Sequence, residues 1–171
     1  MRHVGNLITN ANFQKITIAS DVEGALGYVL RVARQHPYAV TAEELLSEIC
    51  VGMGGMEAER MVFGDVSIGA YGDLQRCTQT ARAMVVGHGM AKDLPPRVLL
   101  DDERARDQFS QARWAEVDAS IDAILQTEAE RAKRLLHEHR ALHAALVTML
   151  LEKKVLDATA IASFGLPAKA T

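Results

Sequence analysis

Two short segments near the N-terminus have the pattern expected of β-strands. Residues 15–18 alternate polar and β-branched side chains, and residues 24–30 form a second, mainly apolar run that contains Gly27. A glycine inside a strand often marks a bulge or a close approach of another backbone. We therefore expect a small β-hairpin or sheet, preceded by an irregular segment at residues 1–14.

From Thr41 onward the apolar residues recur at helical spacing. Thr41 and Glu44 match a capping box, in which the hydroxyl and the carboxylate accept hydrogen bonds from free backbone N–H groups. The helix that follows is expected to bury one apolar face, made of Leu45, Leu46, Ile49, Cys50 and Met53. Glycines 52, 54 and 55 each cost about 1 kcal/mol relative to alanine in a helix, so we expect them to permit close helix packing.

Further helices are predicted in the second half of the chain. One covers about residues 71–87, and a long helical region begins near Ser110 and forms a hairpin or a bent helix. Its apolar face consists of Trp114, Val117, Ile121, Leu125, Ala132, Leu135, Leu136, Leu142, Leu146 and Met149. Asp157 is expected to cap a last short helix that Gly165 and Pro167 end. The predicted fold is mainly α, a helical bundle with a small N-terminal β-hairpin or sheet.

Composition narrows the function classes. The 171 residues are 49% hydrophobic and 24% charged, as in an ordinary globular domain, and the net charge of -3 gives no basic footprint for nucleic acid. The two cysteines, Cys50 and Cys77, do not form a disulfide framework and fit a reducing compartment such as the cytoplasm. No apolar run approaches the ~18 residues of a membrane span. No Gly-x-x-x-x-Gly-Lys phosphate loop occurs, which excludes ATP hydrolysis by that route.

Histidine spacing offers little support for a metal site. A zinc protease typically needs His-Glu-x-x-His on one helix, and this motif is absent from the sequence. The segment His137-Glu138-His139 fails the motif because residue 141 is alanine. His139 and His143 are four residues apart, so they form either a weak metal-binding pair or, as we favour, part of a solvated helix face.

Five sequence blocks nevertheless occur in an order that is typical of one protein family. They are Ala-Leu-Gly-Tyr at 25–28, Thr-Ala-Glu-Glu-Leu-Leu at 41–46, Gly-Gly-Met-Glu-Ala-Glu-Arg-Met-Val-Phe-Gly at 54–64, Ser-Ile-Gly-Ala-Tyr-Gly-Asp-Leu at 67–74 and Thr-Ala-Arg-Ala-Met-Val at 80–85. In order and spacing they resemble the peptidase domain of FtsH-type ATP-dependent zinc metalloproteases. The resemblance covers about residues 15–160 and implies a peptidase-like domain at 15–165 with a tail at 166–171.

The resemblance assigns a role to two places in the chain. It implies that Asp73 is a zinc ligand, whereas on its own an aspartate in the first helical turn is also favoured by the helix dipole. It also implies that one edge strand binds substrate, namely Gly24, Ala25, Leu26, Gly27 and Tyr28. From the residues alone, this segment could equally be an ordinary edge strand. Arg60 stands where the family usually has an acidic residue, so the charge pairing at that position is open.

The function expected from the resemblance is proteolysis of polypeptide substrates with zinc as the cofactor. Family members are membrane-anchored, carry an ATPase module, place the peptidase on the cytoplasmic side and form six-membered rings. No catalytic residue is assigned here, because the zinc helix and its glutamate base have no counterpart and glutamate is absent before residue 23. We expect a truncated piece that is inactive alone, binds no zinc and forms a homohexamer. The alternatives are a non-catalytic protein that binds or modulates a protease ring and a plain helical scaffold.

Overall fold

The chain forms two compact units. A computed structural model describes residues 13–19, 27–31, 40–99 and 109–166. The sheet unit comprises residues 1–37 and 138–171, and the helical unit comprises residues 38–137. The domain boundaries predicted above at residues 15 and 165 remain a prediction.

The described strands of the sheet unit form one antiparallel sheet. Strands β1 (Phe13–Thr17), β2 (Tyr28–Arg31) and β3 (Val155–Asp157) lie in the order β2-β1-β3. The predicted small sheet is confirmed, with β1 beginning two residues earlier than expected and with an irregular register between Phe13 and Lys15. Residues 24–26 of the second predicted strand lie outside the described residues, and β3 was not predicted.

Two helices complete the sheet unit. Helix α4 (Arg140–Lys153) ends at Lys154, which has a left-handed conformation with φ of 63° and whose carbonyl accepts a hydrogen bond from the Ile18 N–H at 3.0 Å. The predicted cap is confirmed at α5 (Ala158–Ala162), where the Asp157 carboxylate accepts from the Ala160 N–H at 2.8 Å. Leu156 and Ile161 are fully buried, which gives this unit its core.

The first half of the helical unit is a pair of helices joined by a short turn. Helix α1 (Ala42–Phe63) begins with the predicted capping box: the Thr41 N–H donates to Glu44 at 2.8 Å, and the Glu44 N–H donates to the Thr41 hydroxyl at 3.3 Å. A 3-10 turn (Ile68–Ala70) leads into α2 (Tyr71–Arg82), and a π-helical turn (Ala83–Gly87) continues it. Both predicted helices are therefore confirmed.

A long third helix packs on this pair. Helix α3 (Gln111–Glu138) is separated from α4 by His139, so the long helical region is broken once. Ile49, Cys50 and Met53 of α1 share a buried core with residues of α2, the π-helical turn and α3: Cys77, Ala81, Met84, Val85, Val86, Val117, Ile121 and Ala132. The mainly α fold with a small sheet is confirmed. Among the described helices, none combines the length and the apolar character that crossing a bilayer requires.

Candidate functional site

Asp73 lies where the sequence predicts it, in the first turn of α2. Its carboxylate forms an ion pair with Arg76, one helical turn further on, and its side chain is 45% exposed. The carboxylate also faces α1, because a Cβ atom built on Gly55 would lie 4.0 Å from Asp73 Oδ2. Asp73 is thus accessible at the contact between the two helices.

Gly52 explains why α2 lies so close to α1. A Cβ atom at this position would lie 2.4 Å from Cys77 Sγ and 3.9 Å from the Asp73 carbonyl oxygen. Cys77 Sγ also donates a hydrogen bond to the Ile49 carbonyl oxygen at 3.5 Å, which ties the two helices together at the same point. The predicted close packing is confirmed at Gly52, whereas Gly54 has nothing within 4 Å of its Cβ position.

The described residues do not fit the zinc ion that the resemblance implies. No group of three or more histidine, cysteine, aspartate or glutamate side chains is placed to hold a metal ion in the part of the chain that the structure describes. Asp73 supplies a single carboxylate, and its described partner is the guanidinium of Arg76. A protease zinc site uses three protein ligands, so Asp73 by itself does not make one.

Arg60, whose charge pairing the sequence left open, takes part in an ion pair. Its guanidinium lies 2.6 Å from the Glu57 carboxylate, one turn earlier on α1. Glu57 is only 3% exposed, whereas the Arg60 side chain is half exposed. The arginine therefore neutralises a buried carboxylate while its own end remains in contact with solvent. The i, i+3 spacing of the two residues could have revealed this pair in the sequence.

The described part of the predicted substrate-binding strand lies at one end of the strand order. Gly27 approaches β1 closely, since a Cβ atom there would lie 2.6 Å from the Thr17 carbonyl oxygen. This agrees with the close approach expected of a strand glycine. Tyr28 begins β2 opposite Thr17, and Val29 and Leu30 follow with their side chains on opposite faces of the sheet, both well exposed. Gly24, Ala25 and Leu26 lie outside the described residues, so only Gly27 and Tyr28 of the predicted edge are placed.

Lys15 holds the Tyr28 side chain from the neighbouring strand. Its ammonium group donates to the Tyr28 hydroxyl at 2.9 Å and lies 5.1 Å from the centre of the ring. Lys15 pairs with Leu30 in the register, so Tyr28 is its diagonal neighbour on the same face. A hydrogen bond and a cation–π contact together fix this aromatic ring next to β2.

The buried ionisable groups are structural in character. Burial raises the pKa of the Cys50 thiol to about 11, and burial also raises the pKa of Cys77. Burial raises the pKa of Glu128 on α3, although the Arg131 guanidinium 3.1 Å away acts in the opposite direction. A thiol with a raised pKa is a poor nucleophile, so the surroundings of both cysteines favour unreactive thiols.

The sequence analysis missed a hydrogen-bonded contact between Glu59 and Ser67, in the connection that precedes Asp73. The Glu59 carboxylate accepts hydrogen bonds from the Ser67 N–H at 2.7 Å and the Ser67 hydroxyl at 3.0 Å. The same hydroxyl accepts from the Gly69 N–H at 3.1 Å and so caps the 3-10 turn. The serine cap could have been identified from the sequence, but the contact to Glu59 spans an irregular link and has no periodic signal.

Comparison with known proteins places these features in context. The model of peptidase family M41 matches residues 4–164. The ATP-dependent zinc metalloprotease FtsH of Syntrophobacter fumaroxidans is 33% identical over 173 aligned residues, which cover 94% of this chain and 27% of that protein. The protein of the same name from Bacillus subtilis is 34% identical over 169 residues, covering 92% of this chain and 26% of its own length. The chain thus spans about a quarter of the length of these relatives.

Proposed function

Because this chain belongs to peptidase family M41 and is an FtsH-type peptidase domain, we propose that it holds extended polypeptide substrates without cleaving them by itself. The relatives are named as zinc metalloproteases that depend on ATP. The proposed substrate binding is argued from the sheet unit, and the proposed lack of cleavage is argued from the ligands that a zinc site needs.

The observation that carries the substrate role is the position of β2. It lies at the end of the strand order, next to β1 and away from β3. An edge strand offers backbone N–H and C=O groups to an added strand, and main-chain hydrogen bonds then supply affinity that depends little on sequence. Exposed Val29 and Leu30 would contact apolar side chains on the two faces of such a strand.

Chemistry supports the second part of the proposal. Metal-assisted peptide hydrolysis needs a water polarised by the metal and a general base that takes its proton. The 171 residues contain no His-Glu-x-x-His motif to supply these groups. Asp73 remains as a single carboxylate paired with Arg76. We therefore derive no hydrolytic step for this chain alone.

A backbone-modified peptide tests strand addition directly. A fluorescein-labelled disordered peptide with alternating valines is titrated with the chain, and its anisotropy is measured. The matched control has the same side chains but carries N-methyl groups at alternate residues, which removes the N–H donors that pair with an edge strand. The unmodified peptide should bind and the N-methylated one should lose roughly tenfold or more in affinity, because several main-chain hydrogen bonds are lost. Equal binding of the two peptides would refute strand addition at β2.

A second candidate function is that of a non-catalytic subunit in a ring of related peptidase domains. Helix α4 favours it, because this helix has no buried residue although most of its side chains are apolar, and Val147 and Leu151 are exposed one turn apart. Exposed apolar surface of this kind is typically covered by association. We propose a homohexamer, as in the rings that the resemblance implies. Light scattering coupled to gel filtration should give six times the 18.7 kDa chain mass, and a clean monomer mass would refute it.

We propose the cytoplasm as the location. The two cysteines are free thiols in the core rather than a disulfide, which supports a reducing compartment. A fusion of the chain to a redox-sensitive fluorescent reporter should report a reducing environment, and an oxidised reporter would contradict the proposal.

A further inference from the structure

An apolar surface stands out where α1 ends and α2 begins. Phe63 closes α1 and is 78% exposed, Ile68 opens the 3-10 turn and is 96% exposed, and Tyr71 opens α2 and is 70% exposed. We call these three residues the turn surface. Val62 and Val66 are also exposed and lie in the same stretch of chain. Single exposed apolar side chains are normal, but five within the ten residues of one helix connection favour a binding surface.

The turn that carries Ile68 is tied to α1 by hydrogen bonds. Glu59 lies one helical turn before Phe63 on α1, and its carboxylate binds both the N–H and the hydroxyl of Ser67. Ser67 in turn caps the 3-10 turn through Gly69. Ile68 is therefore presented outward from a turn that is anchored to α1. A turn whose backbone is already fixed loses less entropy when its side chains bind a ligand, and such pre-organisation favours affinity.

The charges around the turn surface are mainly negative. Between residues 57 and 76 the acidic residues are Glu57, Glu59, Asp65 and Asp73, and the basic residues are Arg60 and Arg76. Arg60 is paired with Glu57, and Arg76 is paired with Asp73. Glu59 and Asp65 accept hydrogen bonds from Ser67 and Val66, and no ion pair of theirs occurs among the described residues. A ligand with positive charge beside its apolar groups is thus complementary to this surface.

We propose that the turn surface binds a segment of unfolded polypeptide in which large apolar side chains are flanked by lysine or arginine. The proposal rests on the proposed function, because it adds a second contact for the same class of substrate. Tyr71 of the turn surface is the first residue of α2 and lies only two residues before Asp73, the position that the resemblance assigns to the metal. Its preference for apolar and basic residues would act on side chains, whereas strand addition at β2 acts on the backbone.

The size of the surface favours a peptide over a second copy of this chain. Phe63, Ile68 and Tyr71 together expose roughly 500 Å², taking about 150–250 Å² for each large side chain. A stable interface between two folded proteins buries about 800 Å² on each partner. The same acidic surface on both copies would also repel across a symmetric contact. A short apolar and basic segment matches both the area and the charge.

The test uses the full chain and three labelled peptides of equal length. One contains Leu-Phe flanked by lysines, the second has glutamates in place of the lysines, and the third has serines in place of Leu-Phe. Fluorescence anisotropy should show the lysine peptide binding roughly tenfold or more tightly than either of the others, because it alone carries both the apolar contact and the favourable charge. Light scattering on the same samples reports self-association.

Two variants and a matched control locate the binding. Ile68→Ser removes the most exposed side chain of the turn surface and should weaken the lysine peptide roughly tenfold. Val98→Ser alters a side chain of the helical unit that is 61% exposed outside the turn surface, so it should leave binding unchanged. Asp65→Asn keeps an oxygen that can accept from the Val66 N–H but should reduce the preference for lysine over glutamate. Circular dichroism should show the same unfolding curve for all variants, because the altered side chains are exposed.

Three results would overturn the proposal. They are unchanged binding by Ile68→Ser, equal binding of the lysine and glutamate peptides to the unaltered chain, and a dimer that Ile68→Ser converts to monomer. The last would assign the surface to a second copy of the chain. The experiments distinguish failure of one site from failure of the other. If β2 does not add strands, the N-methylated peptide binds normally while binding of the lysine peptide remains sensitive to Ile68→Ser. If N-methylation weakens binding but Ile68→Ser does not, the turn surface alone is refuted.

Discussion

Replacing Gly52 by alanine should destabilise the helical unit, although alanine is the better helix former. The added Cβ would lie 2.4 Å from Cys77 Sγ, about 1 Å closer than the ordinary contact distance of roughly 3.5 Å. Cys77 has little room to retreat, because its Sγ is buried and donates to the Ile49 carbonyl. The two helices must therefore separate locally to accept the methyl group.

The size of the effect follows from two opposing terms. Forcing an extra methyl group into a packed core costs about 1–3 kcal/mol. Changing glycine to alanine inside a helix contributes about 1 kcal/mol in the opposite direction. We expect a net loss of about 1–2 kcal/mol in the free energy of unfolding, measured by urea denaturation with circular dichroism as the probe. For a chain of this size each kcal/mol corresponds to about 2–4 °C in Tm.

Gly54 provides the matched control on the same helix. Nothing lies within 4 Å of its Cβ position, so Gly54→Ala should raise the free energy of unfolding by up to about 1 kcal/mol. Combining Gly52→Ala with Cys77→Ala removes the clashing sulfur, and the double variant should lose about 0.5–3 kcal/mol less than the sum of the single variants. If Gly52→Ala stabilises the chain as much as Gly54→Ala, the close contact does not exist and the reasoning fails.

Three further predictions concern the thiols, the metal and catalysis. Burial raises the pKa of Cys50 from 9.0 to about 11. The stability that this neutral thiol contributes is therefore present below pH 9 and is lost as the pH rises toward 11. Cys50→Ala should flatten this part of the curve of stability against pH, and an identical alkaline decline in that variant would contradict the assignment. Dialysed chain should hold far less than one zinc ion per molecule by atomic absorption, whereas stoichiometric zinc that disappears in Asp73→Ala would show that a site exists. Unfolded casein should remain intact with or without ATP, whereas chelator-sensitive cleavage that survives repurification would refute the absence of a hydrolytic centre.

Features that are local in sequence could be predicted well. The capping box at Thr41 and the cap at Asp157 each join residues three positions apart, so their geometry follows from the helix start itself. The close packing at Gly52 could also be predicted, because glycine weakens a helix and is favoured there mainly where a neighbouring element leaves no room for a side chain. The two caps can be inferred from neighbours along the chain, whereas the sequence did not distinguish Gly52 from Gly54, whose Cβ position has nothing within 4 Å.

Features that depend on distant residues could not be predicted from one sequence. Strand β3 has three residues and pairs with β1 from the far end of the chain, so its own pattern is too short to distinguish it from a loop. The Glu59–Ser67 contact crosses a turn whose path is not periodic. The candidate site depends on both kinds of information. Asp73 was identified by resemblance, and its pairing with Arg76 has the i, i+3 spacing of neighbours on one helix. The approach of its carboxylate to Gly55 depends on the packing of α1 against α2.

The surroundings of Asp73 show what the described residues offer to a metal ion. The Asp73–Arg76 pair is exposed on both sides, with side-chain exposures of 45% and 69%, and such surface pairs contribute little to stability. Arg76 is therefore a weak competitor for the carboxylate and would not by itself prevent a metal from binding there. The backbone around Asp73 is fixed independently, by the contact at Gly52 and the bond from Cys77 to Ile49. Among the described residues, the number of ligands rather than the competing arginine therefore limits Asp73 as a metal site.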